Sequence, residues 1–408
     1  MRAVFEKSRL SGTVKAPPSK SAAHRLIISA ALAGGQSEIR GIEYSEDILA
    51  TLDCAEALGA KIERGADYVK IDGSSFLSVD GADTAVLDCR ESGSTLRFFI
   101  PIAMLTGKRV EFRGSERLMS RPLGVYEKLA AENSITFEKK DDCITILGKL
   151  PNKKYEIDGS VSSQFISGLL FALVRLGGGG EIHVIPPFES RPYVEMTVGA
   201  LRLFGAKIEF SGNDIIIAEG QKFTAWSGEV EGDFSNAAFL DAYNLIGGDV
   251  NVTGLPERSA QGDAAYREFF RQLRDGTPTI DLSDTPDLAP ILIAMAACMR
   301  GATFTGTRRL AVKESDRGAV MAEEMRKFGV ELVLSDNSIT VPGGKLRTPT
   351  SPIARHNDHR IVMAAATLLT LTGGELYGCE DVKKSFPSYF ESIKKLGAKF
   401  IMTPDERI

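Results

Sequence analysis

The chain has 408 residues, of which 43% are hydrophobic and 25% are charged, and its formal net charge is −5. A chain of this length exceeds what one hydrophobic core usually supports, which predicts two or three domains. The acidic balance argues against a nucleic-acid or membrane-surface partner, because both need a basic face on the protein. Any anion that binds here must therefore be held by local arginines and lysines.

The cysteines and the N-terminus indicate the compartment. The five cysteines are scattered and form no CxxC pair, which indicates neither a disulfide framework nor a zinc site. The first residues alternate like a strand and lack the apolar core of a signal peptide, and no apolar run reaches membrane-spanning length. We therefore expect a complete, cytoplasmic protein without a zinc site. Separately, we expect a monomer and no metal ion.

The first helix signal is the stretch APPSKSAAHRLIISAALAGG, which starts at Ala16. Its two prolines and Ser19 predict a turn and a helix cap. A lysine, a hydroxyl and an arginine follow at Lys20, Ser21 and Arg25, beside the free N–H groups and the positive dipole end of the helix. This arrangement suits phosphate or carboxylate, although an ordinary capped helix with solvated charges has the same pattern.

One pattern recurs along the chain: an amphipathic helix ending in glycine or a substitute, a β-run, a polar turn and a second β-run. Full copies are CAEALGAKIERGADYVKIDG, YEKLAAENSITFEKKDDCITILG, ALRLFGAKIEFSGNDIIIAEG and EMRKFGVELVLSDNSITVPG. The copy FFRQLRDGTPTIDLSD lacks its second β-run, and the chain closes on the start of another, SIKKLGAKFIM. About six copies of a small α/β unit divide naturally into three and three.

Polar residues cluster at the starts of helices that are nearly apolar all round, such as STLRFFIPIAMLTG, and such helices are expected to be buried. The clusters contain Ser92, Gly93, Ser94, Thr95 and Arg97; Ser162, Ser163 and Gln164; Ser190, Arg191 and Tyr193; Asp287; Lys313, Glu314 and Arg317; His359 and Arg360; and Lys384. Each cluster alone is more typical of a helix cap or a solvated ion pair than of a binding site. Together they predict a cleft for a substrate with several negative charges.

Taken in chain order, the motifs resemble those of the 5-enolpyruvylshikimate-3-phosphate synthases, the enolpyruvyl transferases of the shikimate pathway. The resemblance runs from PPSKSAAHR through SGSTLR, SRPLG, SVSSQF, SRPYVEMT, VEGDFSNAAF, QGD, TPDLAP, VKESDRG and NDHR to KKSFPSYF. It implies an α/β fold, a two-lobed inside-out α/β barrel with six βαβαββ repeats, three per lobe, in pseudo-threefold symmetry. It further implies an N-terminal lobe of residues 17–230, a C-terminal lobe of residues 1–16 plus 231–408, and an active site in the cleft between them.

The resemblance also implies which residues bind the two substrates, shikimate 3-phosphate and phosphoenolpyruvate. The implied ligands of shikimate 3-phosphate are Lys20, Ser21, Arg25, Ser162, Ser163, Gln164, Ser190, Tyr193, Asp287 and Lys313. The implied ligands of phosphoenolpyruvate are Lys20, Gly93, Arg97, Arg121, Gln164, Arg317, His359, Arg360 and Lys384. Many cations are expected because two highly anionic substrates must be brought together despite their repulsion.

The implied reaction is an addition followed by an elimination. The 5-hydroxyl of shikimate 3-phosphate attacks the central carbon of phosphoenolpyruvate as the methylene carbon is protonated, and the tetrahedral ketal then loses phosphate. By this resemblance we expect Asp287 to be the base toward the hydroxyl and Glu314 the acid at the methylene carbon, with Lys20 and His359 as further candidate proton carriers. No cofactor is expected, because phosphoenolpyruvate supplies the reactive group.

The chain departs from the family pattern at a few positions. Many members have Asn-Ala-Gly-Thr where this chain has Glu91–Ser94, which adds a carboxylate close to the anion pocket. Arg309 stands where many members have asparagine, and His356 stands where tyrosine is common. We interpret His356 as structural, and none of these changes removes an expected catalytic group.

Three other functions stay open. The sister enolpyruvyl transferase that acts on UDP-N-acetylglucosamine shares the fold and the donor, but its expected catalytic cysteine loop and Lys-Asn pair are absent, since Ser21 follows Lys20. An RNA 3′-phosphate cyclase would need a basic, aromatic-rich stripe, and both the acidic balance and the lack of such a stripe in the sequence argue against this function. A non-catalytic anion-binding protein would bind ligand without turnover, and the joint presence of Lys20, Asp287, Glu314 and Arg317 argues against it.

Overall fold

A computed structural model describes residues 1–78, 84–140 and 142–405. The strands are β1 (Arg2–Glu6), β2 (Ser11–Lys15), β3 (Gln36–Arg40), β4 (Lys61–Arg64), β5 (Tyr68–Asp72), β6 (Thr84–Asp88), β7 (Arg109–Arg113), β8 (Thr136–Lys139), β9 (Cys143–Leu147), β10 (Lys154–Asp158), β11 (Gly178–Ile185), β12 (Ile208–Ser211), β13 (Asp214–Glu219), β14 (Gly228–Glu229), β15 (Asp249–Thr253), β16 (Thr279–Asp281), β17 (Gly301–Thr305), β18 (Val333–Ser335), β19 (Ser338–Pro342), β20 (Gly374–Tyr377) and β21 (Lys399–Thr403).

The helices alternate with these strands. The α-helices are α1 (Lys20–Leu32), α2 (Glu46–Ala57), α3 (Gly93–Ala103), α4 (Glu116–Ser120), α5 (Gly124–Glu132), α6 (Ser163–Leu176), α7 (Arg191–Leu203), α8 (Phe234–Asp241), α9 (Tyr266–Asp275), α10 (Ala289–Cys298), α11 (Arg317–Lys327), α12 (His359–Thr372) and α13 (Tyr389–Lys395). Short 3-10 helices cover Ala242–Ile246, Gly262–Ala265, Pro286–Leu288, Arg308–Val312 and Cys379–Lys384. Over the described ranges, none of these helices has the length and apolar character that a membrane span needs.

The chain divides into two units, which we call the N-terminal unit (Lys20–Glu231) and the C-terminal unit (Met1–Ser19 with Gly232–Ile408). The first crossing lies three residues later than the expected boundary at residue 17, and the second lies one residue later than expected. Local pairing explains the first shift. The Asp233 N–H donates to the Pro17 carbonyl at 2.8 Å, and Pro18 forms a bridge with Gly232, so residues 17–19 stay with the C-terminal unit.

The three sheets of the N-terminal unit share one topology. Their strand orders are β14-β3-β5-β4, β6-β7-β9-β8 and β10-β11-β13-β12. In each sheet the first two strands are parallel and the remaining pairs are antiparallel. In the second and third sheets a helix follows each parallel strand and a hairpin closes the repeat, which is the βαβαββ arrangement that the repeated sequence pattern predicts. In the first sheet, β14 comes from the end of the unit and takes the place of the first strand.

The C-terminal unit contains the same arrangement in less regular form. The sheet β16-β17-β19-β18 repeats it in full. The sheet β15-β2 has only its parallel pair, because the truncated sequence copy supplies no hairpin. In the sheet β20-β1-β21, the strand at the start of the chain pairs with the last strands, and a single parallel bridge between Ile353 and Leu376 takes the place of a first strand. The prediction of six α/β repeats is therefore confirmed.

Each unit has its own hydrophobic core. Helices α3, α6, α10 and α12 bury nearly every residue, in agreement with their apolar sequences. A helix surrounded by apolar neighbours has room for charged groups mainly near its ends, and a polar residue in its interior, such as Thr367, must bond the preceding turn. The polar clusters at the helix starts therefore occupy the positions that this packing allows.

The buried position of α10 gives a stability prediction. Leu292 is 0% exposed, so Leu292→Ala should lower the free energy of unfolding by about 2–5 kcal/mol through the lost burial and the cavity. Leu334→Ala is the matched control, because Leu334 is 43% exposed in the same unit and should change stability by less than about 0.5 kcal/mol. Urea unfolding followed by circular dichroism measures both values, and equal losses would contradict this assignment of the core.

Candidate active site

The start of α1 holds a buried arginine against α7. Arg25 donates to Thr197 Oγ1 at 2.8 Å, to the Tyr193 carbonyl at 2.9 Å and to the Ser21 carbonyl at 2.7 Å. Its guanidinium lies 5.3 Å from the ring centre of Phe98. Burial lowers the pKa of Arg25 to about 10, so the group is still charged at neutral pH. All of these acceptors are neutral, and the positive charge therefore stays available to an anion.

Lys20, the first residue of α1, forms an ion pair with α2. Its Nζ lies 2.6 Å from Oδ2 of Asp47, and the two side chains are 14% and 12% exposed. Asp47 was not among the residues expected from the sequence. It stands in the first turn of α2 behind the Ser45 cap, where an acidic residue is ordinary, so no sequence signal set it apart.

Two arginines converge on the backbone at the start of α3. Arg97 is 5% exposed, donates to Gln164 Oε1 at 2.7 Å and lies 5.2 Å from the ring centre of Phe165. A Cβ added to Gly93 would lie 2.4 Å from NH1 of Arg121 and 3.4 Å from NH1 of Arg97. Glycine therefore lets the Arg121 guanidinium lie this close to the main chain, whereas the distance to Arg97 is an ordinary contact.

Hydroxyl groups stand at the starts of α6 and α7, which pack against each other. Ser162 caps α6 by accepting from the Gln164 N–H at 3.3 Å, and Ser163 begins the helix. Ser190 precedes α7, is 3% exposed, and has a left-handed backbone with φ of 52°. A non-glycine residue in this conformation is strained, and such residues concentrate at binding and catalytic sites.

The C-terminal unit is organised around one guanidinium. Arg317 begins α11 with a side chain 1% exposed. Its Nε donates to Asp358 at 2.9 Å, its NH1 to Asp287 at 2.7 Å and its NH2 to Glu314 at 2.7 Å. Burial alone would lower the pKa of Arg317, but the carboxylates of Asp358, Glu314 and Asp287 together raise it well above its ordinary value. The arginine is therefore permanently charged and fixes three carboxylates at once.

The Asp287 carboxylate contacts three cationic side chains. Besides Arg317, it accepts from NH2 of Arg360 at 3.0 Å and lies 3.4 Å from Nζ of Lys313. Burial raises the pKa of Asp287, but the charges of Arg360, Lys313 and Arg317 outweigh burial and hold the pKa well below its usual range. Burial is also the main reason why the pKa of Lys313 is lowered. Asp287 is therefore ionised at neutral pH.

The start of α12 presents the remaining predicted residues of this unit. Asp358 caps the helix by accepting from the Arg360 N–H at 2.9 Å, and His359 is 1% exposed beside it. Asn357, just before the cap, has φ of 54°. The Lys384 ammonium donates to the Asn357 carbonyl at 2.5 Å. Asp358 joins the cluster through Arg317, a role that the sequence did not reveal because an aspartate before a helix is already explained as a cap.

The predicted residues fall into two groups, one in each unit. The N-terminal unit holds Lys20, Ser21, Arg25, Gly93, Arg97, Arg121, Ser162, Ser163, Gln164, Ser190 and Tyr193, and the C-terminal unit holds Asp287, Lys313, Glu314, Arg317, His359, Arg360 and Lys384. Direct contacts join Arg25 to Ser21 and Tyr193, Arg97 to Gln164, and Asp287 to Lys313, Arg317 and Arg360.

Comparison with known proteins decides the family. The chain matches the sequence model of EPSP synthase (3-phosphoshikimate 1-carboxyvinyltransferase) over residues 4–277 and 275–393. The chain belongs to the EPSP synthase family. Relatives named 3-phosphoshikimate 1-carboxyvinyltransferase include those of Clostridium kluyveri, 35% identical, and Clostridium novyi, 36% identical, each matched over 96% of this chain and 96% of its own length.

Solved structures agree with this EPSP synthase fold. EPSP synthase from Acinetobacter baumannii superimposes with a TM-score of 0.78 at 24% identity, over 99% of each chain. The enolpyruvyl transferase NikO from Streptomyces tendae gives 0.74 at 15% identity, over 98% of each chain. At these identities the likeness concerns the fold alone. The family and the α/β fold expected from the motifs are thus confirmed.

Arg309 and His356, two of the departures from the EPSP synthase pattern, both have local partners. Arg309 donates to the Ser283 carbonyl at 2.9 Å. His356 lies 2.7 Å from Glu324, and together with Glu323 these residues form the one group of possible metal ligands within the described ranges. Lys327 lies 2.9 Å from the Glu324 carboxylate, so an ammonium already supplies the positive charge there. The group is better explained as an ion-paired anchor than as a metal site.

The charge around Asp287 gives a pH prediction. Asp287→Asn should lower the free energy of unfolding by about 1–3 kcal/mol at neutral pH, because three cations lose their shared carboxylate. The pKa of Asp287 is depressed in the folded state, so this stabilisation is complete above the ordinary pKa near about 4 and is lost as pH falls below it. The difference between wild type and variant should therefore be constant from about pH 7 to pH 5 and shrink below about pH 4.

Urea unfolding without substrates at several pH values measures this difference. Asp281→Asn is the matched control, because Asp281 lies in the same unit and accepts from the neutral N–H and hydroxyl of Ser283. A difference for Asp287→Asn that grows on acidification would contradict the assigned direction of the pKa shift.

Proposed function

We propose that this chain is a 3-phosphoshikimate 1-carboxyvinyltransferase, which transfers the enolpyruvyl group of phosphoenolpyruvate to the 5-hydroxyl of shikimate 3-phosphate and releases phosphate. One arrangement supports this proposal most strongly. The two carboxylates assigned to proton transfer, Asp287 and Glu314, lie on the same guanidinium, that of Arg317. They do so in a chain whose relatives, at about one-third identity over nearly their full length, carry this name.

The N-terminal group of residues is suited to holding anions. The positive charge of Arg25 is not balanced by its hydrogen-bond acceptors, which are all neutral. The guanidinium groups of Arg97 and Arg121 both lie near the Gly93 backbone. We assign Arg97, Arg121 and Gly93 to phosphoenolpyruvate. We assign Arg25, together with the hydroxyls at the starts of α6 and α7, to shikimate 3-phosphate. Phosphate and carboxylate groups are the anions that such guanidinium and helix-start groups bind best.

The C-terminal group is suited to proton transfer once the substrates are bound. With three cations around it, Asp287 is a weak base, because its pKa lies well below the usual range. An anionic substrate that binds Arg317, Arg360 or Lys313 offsets part of this positive charge, and the pKa of Asp287 then rises toward the range useful for a base. Substrate binding thereby activates the base at the hydroxyl that it must deprotonate.

The first test is phosphate release by the purified protein with phosphoenolpyruvate plus shikimate 3-phosphate, beside the same donor plus UDP-N-acetylglucosamine. Release is expected only with the shikimate ester. Asp287→Asn and Glu314→Gln should each lower kcat by roughly 10²- to 10⁴-fold, since each removes one proton carrier. The control Asp281→Asn should keep wild-type kcat. Release only with the sugar nucleotide would assign the sister reaction, and binding of both substrates without release would assign an anion-binding protein.

A second test concerns the close approach at Gly93. Gly93→Ala places a methyl group where NH1 of Arg121 lies, so this guanidinium must move. We expect KM for phosphoenolpyruvate to rise by roughly 10-fold or more, with a smaller change in KM for shikimate 3-phosphate. Gly199→Ala is the matched control in the same unit, because an added Cβ there meets nothing within 4 Å. Steady-state kinetics with each substrate varied in turn measures the effect, and equal rises in both KM values would contradict the assignment of this pocket.

A further inference from the structure

Five polar side chains form a closed ring of hydrogen bonds inside the apolar core of the N-terminal unit. Nδ1 of His24 lies 2.6 Å from Thr51 Oγ1, which lies 2.7 Å from Thr95 Oγ1. Thr95 donates to Ser92 Oγ at 2.7 Å, Ser92 lies 3.3 Å from Ser94 Oγ, and Ser94 lies 3.1 Å from Nε2 of His24. His24 is 1% exposed, and Thr51, Ser92 and Thr95 are 0% exposed.

The proton count of the ring assigns the state of the imidazole. Each hydroxyl has one proton, and that of Thr95 goes to Ser92. The Thr51 hydroxyl has two acceptors, Thr95 Oγ1 at 2.7 Å and the Asp47 carbonyl at 3.2 Å, and both draw its proton away from His24. The contact between Thr51 and His24 is then filled by an Nδ1–H donor of His24. Ser92 donates onward to Ser94, and Ser94 donates to Nε2. With this order of donors, all five contacts of the ring are filled when His24 is neutral and carries its proton on Nδ1.

The surroundings of His24 favour the same neutral state. Burial lowers the pKa of His24 well below its usual value, and the positive charges of Lys20 and Arg25 on the same helix lower it further. On α2, the Asp47 carboxylate is engaged by the Lys20 ammonium at 2.6 Å. On α3, the group against the imidazole is the Phe98 ring, edge-on with 6.4 Å between ring centres. The neutral form with an unprotonated Nε2 is therefore favoured, and this nitrogen accepts from the Ser94 hydroxyl.

The ring joins three elements that carry proposed ligands of phosphoenolpyruvate or their partners. His24 belongs to α1, which begins with Lys20. Thr51 belongs to α2, which carries Asp47, and Thr51 also lies 3.2 Å from the Asp47 carbonyl. Ser92, Ser94 and Thr95 flank Gly93 on both sides. The residues on both sides of Gly93 are therefore hydrogen-bonded into the ring that contains the His24 imidazole.

We propose that His24 is a positioning residue for phosphoenolpyruvate: through this ring it holds the Gly93 backbone at a fixed place relative to Lys20, Arg97 and Arg121. The inference rests on the proposed function, since it assigns these groups to that substrate. His24 itself touches no substrate in this proposal. Buried hydroxyls and an imidazole that are fully hydrogen-bonded make a rigid support, whereas a ring with one member missing leaves buried polar atoms unsatisfied and the turn free to shift.

The kinetic test compares substitutions at His24. His24→Leu removes both nitrogens and should raise KM for phosphoenolpyruvate roughly 10- to 100-fold, because a small displacement of the pocket is enough to lose binding geometry. KM for shikimate 3-phosphate should change less than about threefold. Its proposed ligand Arg25 follows His24 on α1 but is held by Thr197 and Tyr193 of α7, outside the ring. His24→Asn places an amide N–H near the position of Nδ1, keeps the donor to Thr51 and should recover part of the loss.

A matched control separates positioning from general destabilisation. Ile71→Ala is suitable because Ile71 is 0% exposed in β5 of the same unit and has no part in the ring. It should lower stability by a similar amount and leave both KM values near wild type. If His24→Leu does not fold, Ser94→Ala opens the ring at its less buried member and carries the same kinetic expectation. A His24 variant that behaves like Ile71→Ala would overturn the proposal.

The spectroscopic test does not depend on activity. The chain has four histidines, so ¹⁵N-histidine labelling gives few signals, and the His24→Asn variant identifies those of His24. We expect a neutral imidazole protonated on Nδ1, unchanged from about pH 8 to pH 5.5. An imidazolium, or a proton on Nε2, at neutral pH would overturn the ring. If the wild-type protein releases no phosphate but shows the Nδ1–H form, the proposed function fails while the ring itself stands.

Discussion

The buried guanidinium of Arg317 is the constraint on which the polar chemistry of the C-terminal unit depends. With a side chain 1% exposed, its charge has almost no water, and Asp358, Asp287 and Glu314 neutralise it instead. The planar fork of the guanidinium fixes the three carboxylates relative to one another. Removing the arginine would leave those charges to repel one another with little solvent to screen them. The two carboxylates proposed for proton transfer are therefore oriented as a pair.

The N-terminal unit satisfies its buried polar groups differently. Arg25 is held by two carbonyls, a hydroxyl and an aromatic face, none of which cancels its charge. The imidazole of His24 is accommodated by hydroxyls in a ring without net charge. A cation held by neutral partners still attracts an anion, whereas a cation balanced by carboxylates mainly orients them. The two units thus divide the chemistry of the proposed reaction: one is suited to holding anions and the other to moving protons.

Most of the repeat architecture could be predicted from the sequence, because each repeat is visible as hydrophobic periodicity. Because the fourth copy lacks its second β-run, the corresponding sheet β15-β2 has only two strands. The helices that are apolar all round are the buried ones. What periodicity could not give is the exchange of strands. Strand β14, near the end of the N-terminal unit, pairs with β3, near its beginning. Strand β1, at the start of the chain, lies between β20 and β21, near its end. In other repeats these positions are occupied by strands that are neighbours in sequence.

The sequence by itself determined the repeats, the caps at helix starts and, through the order of its motifs, the family and the residues to consider as a site. Only the tertiary structure decided how those residues are paired. Lys20 meets Asp47 and His24 meets Thr51 across 27 residues, and Arg317 meets Asp358 across 41. No local pattern records such pairings, because periodicity reports which face of an element is buried and not which neighbour covers it. Packing of the helices brings these side chains together, and burial then makes each pairing obligatory, since a polar group without water must find a partner in the protein.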